Sequence, residues 1–283
     1  MAISPSSSVQ RARQDLADRL RDLRLDAGLT ARALSGAAGW HEAKTSRIES
    51  AKQAPSENDL RIWCQVCGVP DHAVDLIAAS RAADSMYTEW RRMHRTGLRR
   101  EQVARRSLYE RTQLFKVYVS TVMPGLIQTP AYANALMSAI TAFQGTPDDV
   151  EAAVRARMER NRVLRSVKHQ FVMLLEESVL RYRIGDAEVM AGQLGHVLNL
   201  IPLPNVRLGI IPFSASQRDM WTLEAFTAFD DARVHVELLS AQVTVTAPGE
   251  VVIYLRAFER LTALAVYGAE ARVLISDAIS TLG

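Results

Sequence analysis

The stretch "AAGWHEAKTSRIESAKQAPSENDL", residues 37–60, decides the fold of the first part of the chain. Gly39 separates two short helical spans, and glycine favours a tight turn because it adopts left-handed backbone conformations freely. In the second span, Thr45 and Ile48 lie three residues apart, a spacing that puts both on one inward face. The stretch therefore predicts two helices joined by a tight turn, the second of them with one buried and one open face.

The flanking sequence predicts further helices of similar length. Leucines recur at helical spacing from Leu16 to Leu23, and this apolar stripe ends at Gly28. Ser56 and Asp59 match the S-x-x-D capping box that begins a helix. We therefore predict five short helices in one all-α unit, whose second and third helices form a helix-turn-helix.

This unit resembles the Xre/Cro-type (lambda-repressor-like) DNA-binding domain over residues 12–80. Two positions depart from the family pattern. Ala51 stands where a glycine is expected, so its turn must either adopt a strained left-handed conformation or bend otherwise. Ala33 stands where an acidic residue is common. The matching positions are Ala38, Gly39, Ser46, Arg47, Ile48, Glu49, Lys52, Pro55 and Ser56.

The resemblance implies that the third helix enters the major groove of double-stranded DNA. It places His41, Glu42, Ala43 and Arg47 toward the bases, with Lys44 close by. Arg47 is expected to read guanine, because its guanidinium fork matches the O6 and N7 acceptors. Glu42 can accept a hydrogen bond from cytosine N4, and Ala43 can contact only a thymine methyl group.

The resemblance also implies contacts that fix register without reading sequence. Thr30, Trp40 and Lys52 would lie near phosphates, which position the protein on the duplex. Arg24 and Glu49 occupy positions that form a structural ion pair in such domains.

The C-x-x-C pair, Cys64 and Cys67, has the spacing of thioredoxin-like redox sites. Here, however, both cysteines lie on the apolar face of a helix that has already begun, which favours a place in the core. A redox switch stays an alternative, and so does a metal site with His72, although that site lacks a clear fourth ligand. We predict no metal and no cofactor.

Positive charge is concentrated in the segment 81–116, predicted to be a basic helical connector. Its net charge is +6, against 0 for residues 1–80 and −3 for residues 117–283. Three roles are open: contact with the DNA backbone, contact with an acidic partner or domain, or a solvated face paired with Glu89, Glu101 and Glu110. The arginines concerned are Arg91, Arg92, Arg95, Arg99, Arg100, Arg105 and Arg106.

The pattern of helical and strand segments in residues 117–283 predicts an α+β domain, so the predicted fold class of the whole chain is α+β. Helices are expected from about Thr129, over 148–167 and 187–200, and over 248–267 and 269–281. Four or five strands are predicted from runs rich in valine, isoleucine and phenylalanine. The runs are 171–185, 205–213, 224–230, 233–240 and 242–246.

The sequence gives no sign of an enzyme, since none of the common catalytic motifs is present. The adjacent Glu176 and Glu177 would face opposite sides of a strand and cannot act as one pair. His169, His196 and His235 are scattered, and each is expected to be satisfied or on the surface.

The segment 85–283 resembles the C-terminal domain of a large actinomycete family of Xre-type regulators. The resemblance rests on "VMPGLIQTPAYANAL", "FVMLLEESVLRYRIGDAEVMAGQLGHVL", "NVRLGIIPF" and "EVVIYLRAFERLTALA". It implies sensing of an effector or of a small protein partner encoded nearby. It leaves an alternative, an antitoxin-like protein that mainly sequesters this partner and binds DNA for autoregulation.

The composition fits a cytoplasmic, homodimeric transcriptional regulator. With 48% hydrophobic residues the chain can form real cores, yet it contains no apolar run long enough to span a membrane. Two cysteines do not make a disulfide framework. Residues 1–11 lack the apolar core of a secretory signal and are predicted to be a disordered tail.

Overall fold

The computed structural model describes residues 5–216 and 218–282. The chain divides into two compact units, the first extending to Thr88 and the second beginning at Glu89. The first is built around helices and the second around a mixed sheet, so the predicted α+β class is confirmed. Within the described residues, no helix is both long and apolar enough to cross a membrane.

The first unit consists of five helices, as predicted. The tail prediction for residues 1–11 is wrong from Pro5 onward, where the first helix begins, and residues 1–4 lie outside the described part of the chain. The helices are α1 (Pro5–Asp26), α2 (Ala31–Ala37), α3 (Glu42–Glu49), α4 (Glu57–Val66) and α5 (His72–Met86).

The core of the first unit draws apolar side chains from all five helices. The Trp63 indole is fully buried, and its Nε1 donates to the carbonyl oxygen of Leu20 at 3.0 Å. This bond satisfies the one polar atom of a large buried aromatic group. The predicted capping box of Ser56 and Asp59 is present at the start of α4. Other buried members of the core are Leu34, Ile48, Leu60 and Leu76.

The turn after α3 shows which backbone conformation Ala51 adopts at the position where a glycine was expected. Its φ is 53°, so the left-handed conformation is adopted rather than avoided. The N–H of Ala51 donates to Ile48 O at 3.0 Å and that of Lys52 to Arg47 O at 2.9 Å. These two bonds form the Schellman motif, which satisfies carbonyl groups at the helix end.

The second unit contains a six-stranded mixed sheet in the order β7-β6-β5-β2-β3-β4, and the short strand β1 lies where the chain divides into the two units. β2, β3 and β4 pair in parallel, whereas β5, β6 and β7 continue the sheet from β2 in antiparallel pairs. The strands are β1 (Tyr87–Glu89), β2 (Leu114–Val119), β3 (Gln170–Glu176), β4 (Val206–Ile211), β5 (Phe226–Phe229), β6 (Arg233–Glu237) and β7 (Ala241–Val245).

Nine helices accompany this sheet in the described part of the second unit. The helix predicted from Thr129 is confirmed, with the Thr129 side chain capping it, and so is the helix over 187–200. They are α6 (Trp90–Met93), α7 (Arg99–Ala104), α8 (Arg106–Arg111), α9 (Pro130–Gln144), α10 (Val150–Arg160), α11 (Glu177–Arg181), α12 (Ala187–Leu200), α13 (Pro248–Leu264) and α14 (Gly268–Ser280).

Two sequence predictions about the second unit are wrong. The sheet of the second unit has six strands rather than four or five, because β2 begins in the segment that was predicted to be helical. The run 171–185 is only partly a strand, since β3 ends at Glu176 and α11 follows at once. Central strands buried on both faces read as continuous apolar runs, so they lack the alternation that would identify them.

The segment 81–116 is neither one long helix nor a separate connector. α6 ends at Met93, and Gly97, whose φ is 98°, lies in the turn before α7. The Asp149 carboxylate then accepts the N–H groups of Leu98 at 2.6 Å and Arg99 at 2.9 Å, fixing the start of α7. Because Asp149 is about fifty residues away in sequence, local pattern gave no sign of this contact.

Replacing Ala51 by glycine should stabilise the first unit by about 1 kcal/mol, because glycine adopts a positive φ without the steric cost that Cβ imposes. Native-state hydrogen exchange of amides in α1 to α4 of the whole chain measures this. Ala54→Gly is the control: Ala54 has no positive φ, so added chain entropy should destabilise by a few tenths of a kcal/mol. Equal effects of the two changes would contradict the strain at Ala51.

Candidate nucleic-acid interface

The turn between α2 and α3 holds the two helices in a fixed relation. Gly39 has a φ of 69°, and the N–H of Trp40 returns to the carbonyl oxygen of Ser35 at 2.8 Å. Buried hydroxyl groups of Ser35 and Thr45 lie 2.6 Å apart and connect α2 to α3 directly. The helix-turn-helix is therefore fixed both through its turn and through its interior.

The inner face of α3 is anchored to α1 by charge as well as by packing. Ile48 is 1% exposed, in line with the inward face predicted for it and Thr45. The predicted ion pair is present: Arg24 Nε and Nη2 bind the two Glu49 oxygens at 2.5 Å and 3.0 Å. Arg24 Nη1 also donates to Leu29 O at 2.7 Å. Hydrogen bonding to Glu49 raises the pKa of Arg24 above its ordinary value.

The outer face of α3 exposes the residues predicted to read bases. His41, Glu42, Ala43 and Arg47 are all exposed. His41 is also the N-cap of α3, its Nδ1 accepting the N–H of Ala43 at 3.2 Å. In that arrangement the Nε2 of His41 carries the proton and can donate outward.

Lys44 and Trp40 are occupied by contacts within the protein. Lys44 Nζ binds Asp59 Oδ1 at 2.7 Å and lies 4.4 Å from the centroid of the Trp40 ring. The Trp40 ring packs against the core beside Trp63. Burial alone would raise the pKa of Asp59, but hydrogen bonds from Lys44 and Ser56 outweigh burial and lower it. Trp40 and Lys44 therefore stabilise the start of α3.

Thr30 and Lys52, predicted to lie near phosphates, are exposed at the two ends of the helix-turn-helix. The Thr30 hydroxyl oxygen accepts the Ala33 N–H at 3.1 Å, so its hydrogen stays available for an outside acceptor. Lys52 follows the strained residue Ala51. The Thr30 hydroxyl group and the Lys52 ammonium group can therefore each donate a hydrogen bond to a phosphate oxygen.

Two residues of this surface were not predicted as contacts. Gln53 Oε1 accepts from Arg47 Nε at 2.9 Å and so orients the guanidinium. Ser46 is exposed on the same side of α3 as Arg47. The spacing of Gln53 from Arg47 gives no helical signal, because a turn lies between them.

The arginines of the segment 81–116 do not form one surface group. Arg105 is paired with Glu101 and with Glu237, the latter at 3.3 Å, so it belongs to the fold of the second unit. Arg106 forms an exposed pair with Glu110 at 2.7 Å, as in the solvated-face alternative. Arg92, Arg95, Arg99 and Arg100 are exposed and form no ion pair with any described side chain, and the side chain of Arg91 lies outside the described residues.

Cys64 and Cys67 lie in the core of the first unit, as predicted. Their side chains are buried and unbonded to each other. Burial raises the pKa of both thiols, that of Cys67 to about 11. At neutral pH both therefore remain thiols, which are poor nucleophiles and poor metal ligands.

The buried carboxylates of the second unit belong to separate networks. Glu176 accepts from Tyr118 at 2.8 Å and forms an ion pair with Arg218. Glu177 begins a helix and pairs with Arg181 at 2.9 Å. Among the described residues, no three side chains of histidine, cysteine, aspartate or glutamate come together to hold a metal ion.

The three scattered histidines differ in their surroundings. His169 is buried and its Nδ1 lies 2.7 Å from Thr112 O, and His196 is half-buried. His235 contradicts the prediction of a satisfied or surface group, since it is buried and its Nδ1 has no hydrogen-bond partner among the described residues. Burial, then the nearby charges of Arg105 and Arg233, lower the pKa of His235 to about 3.

Comparison with known protein families found two matches, one in each unit. Residues 106–277, more than half of the chain, match a family described as a domain of unknown function (DUF5753). The chain belongs to the DUF5753 family. Ahead of this domain, residues 15–77 match a helix-turn-helix domain, and this match contains the whole of α2 and α3. The helix-turn-helix supports a DNA-binding regulator.

Other comparisons add little. A search of curated proteins found no match. Among solved structures, the DUF5753 chain is similar to TrmBL2, an archaeal chromatin protein described as showing a novel mode of DNA binding. The identity is 11%, the alignment covers 85% of this chain and 88% of that one, and the TM-score is 0.31. A similarity at this level supports no conclusion about fold or function.

Changing Cys64 and Cys67 together to alanine should destabilise the first unit by about 2 kcal/mol through lost packing, without changing DNA affinity. In the unaltered protein, mild peroxide should leave DNA affinity unchanged, because the raised thiol pKa values keep the reactive thiolate scarce. Thermal denaturation and a DNA-binding titration with and without peroxide measure these effects. A large, reversible loss of DNA binding on oxidation would restore the redox-switch alternative.

Proposed function

We propose that this DUF5753-family protein is a sequence-specific transcriptional regulator of the Xre type whose α3 reads bases in the major groove. One observation carries the proposal: α3 is anchored on its inner face by Ile48 and Glu49 while its N-terminal outer face is exposed. Recognition helices contact base edges with their N-terminal residues, and rigid support makes such contacts selective.

The exposed side chains of α3 supply complementary chemistry for base edges. Because Gln53 binds the Nε of Arg47, the two terminal nitrogens of the guanidinium are left to donate to guanine O6 and N7. Glu42 offers a carboxylate to cytosine N4, and Ala43 leaves room for a thymine methyl group. Thr30 and Lys52 are proposed to bind phosphates on either side.

The DUF5753 domain is proposed to sense an effector or a small protein partner, and to do so without catalysis. Support comes from the resemblance of this domain to those of actinomycete Xre-type regulators, and from separate buried networks for its carboxylates. The excess of arginine over lysine fits GC-rich coding in such organisms. We further propose a cytoplasmic homodimer, since helix-turn-helix proteins of this type bind two-fold sites. An antitoxin-like role, with DNA binding for autoregulation, is the alternative.

Selection of bound sites from random DNA should yield a palindrome whose half-sites lie about one helical turn apart. On that site, Arg47→Ala should cost about 1–3 kcal/mol and relax the preference at one base pair per half-site. Lys52→Ala is the matched control, since loss of a phosphate contact should weaken all sequences alike. Uniform weakening by Arg47→Ala would make it a phosphate contact, and an asymmetric single site would count against the dimer.

Substitution of the exposed Arg99 and Arg100 would test whether the second unit contributes to DNA affinity. The slope of log affinity against log salt changes by about 0.9 for each phosphate contact. If both arginines bind the DNA backbone, changing them together to glutamine should flatten this slope by about two units in a titration at several salt concentrations. Arg106→Gln is the control, because Arg106 is already paired with Glu110. An unchanged slope would leave these arginines to a protein partner or to solvent.

A further inference from the structure

A cavity of about 630 Å³ lies within the second unit. Its walls come from β2, β5 and β6 and from the helices α7 to α10. This volume falls in the range of sites that hold small organic molecules. No residue of α3 lines it.

One side of the cavity is apolar. Met137 and Ile140 of α9 line it, and so does Phe229 of β5. At its border are two large apolar side chains, Phe143 at 73% exposure and Leu239 at 81%. Apolar groups that water reaches at a concave site mark a place where an apolar ligand gains free energy by excluding that water.

The other side of the cavity holds two arginines with neutral partners. Arg157 and Arg160 project from the same face of α10, and the single Gln102 Oε1 accepts from Arg157 Nε at 3.1 Å and from Arg160 Nη1 at 2.9 Å. Arg157 also donates to Gln128, and Arg160 donates to Asn161 at 3.4 Å. All these acceptors are amide oxygens.

Neither of these two arginines forms an ion pair within the described part of the chain. Arg160 is 4% exposed, and its Nε has no hydrogen-bond partner there. Its guanidinium lies 4.5 Å from the centroid of the Tyr109 ring, which offsets only part of the cost of burial. Burial, and then the adjacent charge of Arg160, lower the pKa of Arg157 to about 10.

The nearest carboxylates are already used by a third arginine. Glu101 and Glu237 both pair with Arg105, and Gln102 donates to Glu101 as well. Buried charges in proteins are ordinarily paired, since desolvation costs several kcal/mol for each ion. The polar end of the cavity therefore contains positive charge that the described residues do not balance.

A histidine, His235, also lines the cavity. His235 is buried, and its Nδ1 has no hydrogen-bond partner among the described residues. A neutral imidazole nitrogen can donate or accept a hydrogen bond. Arg160 and His235 thus both line the cavity, and each has one buried polar atom without a hydrogen-bond partner among the described residues.

We propose that this cavity binds an organic anion, with its carboxylate or phosphoryl group on Arg157 and Arg160 and its apolar body against α9 and β5. Guanidinium groups bind such anions through paired, charge-assisted hydrogen bonds. The proposal names the chemical class of the effector, and it rests on the proposed regulatory function only for the consequence of binding. Binding itself is measured without DNA, so its failure and a failure of DNA recognition are distinguishable.

Two fluorescent probes of nearly the same shape test the proposal on the whole chain. 8-Anilino-1-naphthalenesulfonate carries an anionic group, and N-phenyl-1-naphthylamine lacks it. The anionic probe should bind at least about tenfold more tightly, the factor that one hydrogen bond to a charged group supplies. Equal affinity for the two probes, or no binding of the anionic probe, would overturn the proposal.

Variants then locate the bound probe. Arg157→Gln should weaken the anionic probe by about tenfold and leave the neutral probe within about twofold. Arg155→Gln is the matched control, because Arg155 lies on the same helix but is exposed and paired with Glu151. Ile140→Trp, which fills the apolar side, should weaken both probes. Equal behaviour of Arg157→Gln and Arg155→Gln would place the probe elsewhere and overturn the proposal.

Circular dichroism shows whether each variant folds. If one does not, displacement of the anionic probe from the unaltered protein by competing ligands still tests the proposal. Decanoate should displace the anionic probe at a concentration at least about tenfold lower than decanol, because only decanoate has a group for the two arginines. Inorganic phosphate should displace it far less well than decanoate, since it gains nothing from the apolar wall. Equal displacement by decanoate and decanol, or by phosphate and decanoate, would overturn the proposal.

Discussion

The compensation of buried charge is the constraint on which the arrangement of this protein depends. In the first unit, Arg24 is 6% exposed and lies among apolar side chains, where an unpaired guanidinium would destabilise the fold by several kcal/mol. Glu49 compensates it with two hydrogen bonds. Because Arg24 belongs to α1 and Glu49 to the end of α3, this requirement fixes the orientation of the helix proposed to read DNA.

The same constraint separates two kinds of arginine in the second unit. Arg105 has two carboxylates and serves the fold, since burial and pairing together account for its position. Arg157 and Arg160 have only neutral amide oxygens among the described residues. In the proposed site their charge would select a ligand of opposite sign, whereas the apolar wall alone would accept any molecule of suitable size. A cost to the stability of the empty domain thus becomes a source of specificity.

Recognition by α3 depends on tertiary structure more than on helix propensity. An isolated helix of eight residues is not stable in water, because nucleation costs more than so few hydrogen bonds return. The cap at His41, the Schellman motif at Ala51 and the buried Ile48 supply the missing stability. The backbone of α3 is then fixed in advance, which would lower the entropic cost of the proposed contact with DNA.

The sequence by itself determined the first unit well. Its helices follow from local signals: the turn at Gly39, the capping box at Ser56 and the periodic leucines each act within a few residues. The exposed positions of α3 and the pairing of Arg24 with Glu49 followed from resemblance to a known domain. Local pattern could not show that Lys44 would form an ion pair with Asp59 or that Gln53 would accept a hydrogen bond from Arg47, because side-chain partners across a turn leave no periodic signal.

In the second unit, several features were decided only by the tertiary structure. β2 was hidden at the end of a basic segment, since a central strand is recognised by its neighbours in the sheet rather than by alternation. The break at Gly97 depends on Asp149, and the cavity depends on side chains from helices and strands far apart in sequence. The sequence shows how many charged residues the chain contains. Long-range packing decides which of them are buried and which of them form ion pairs.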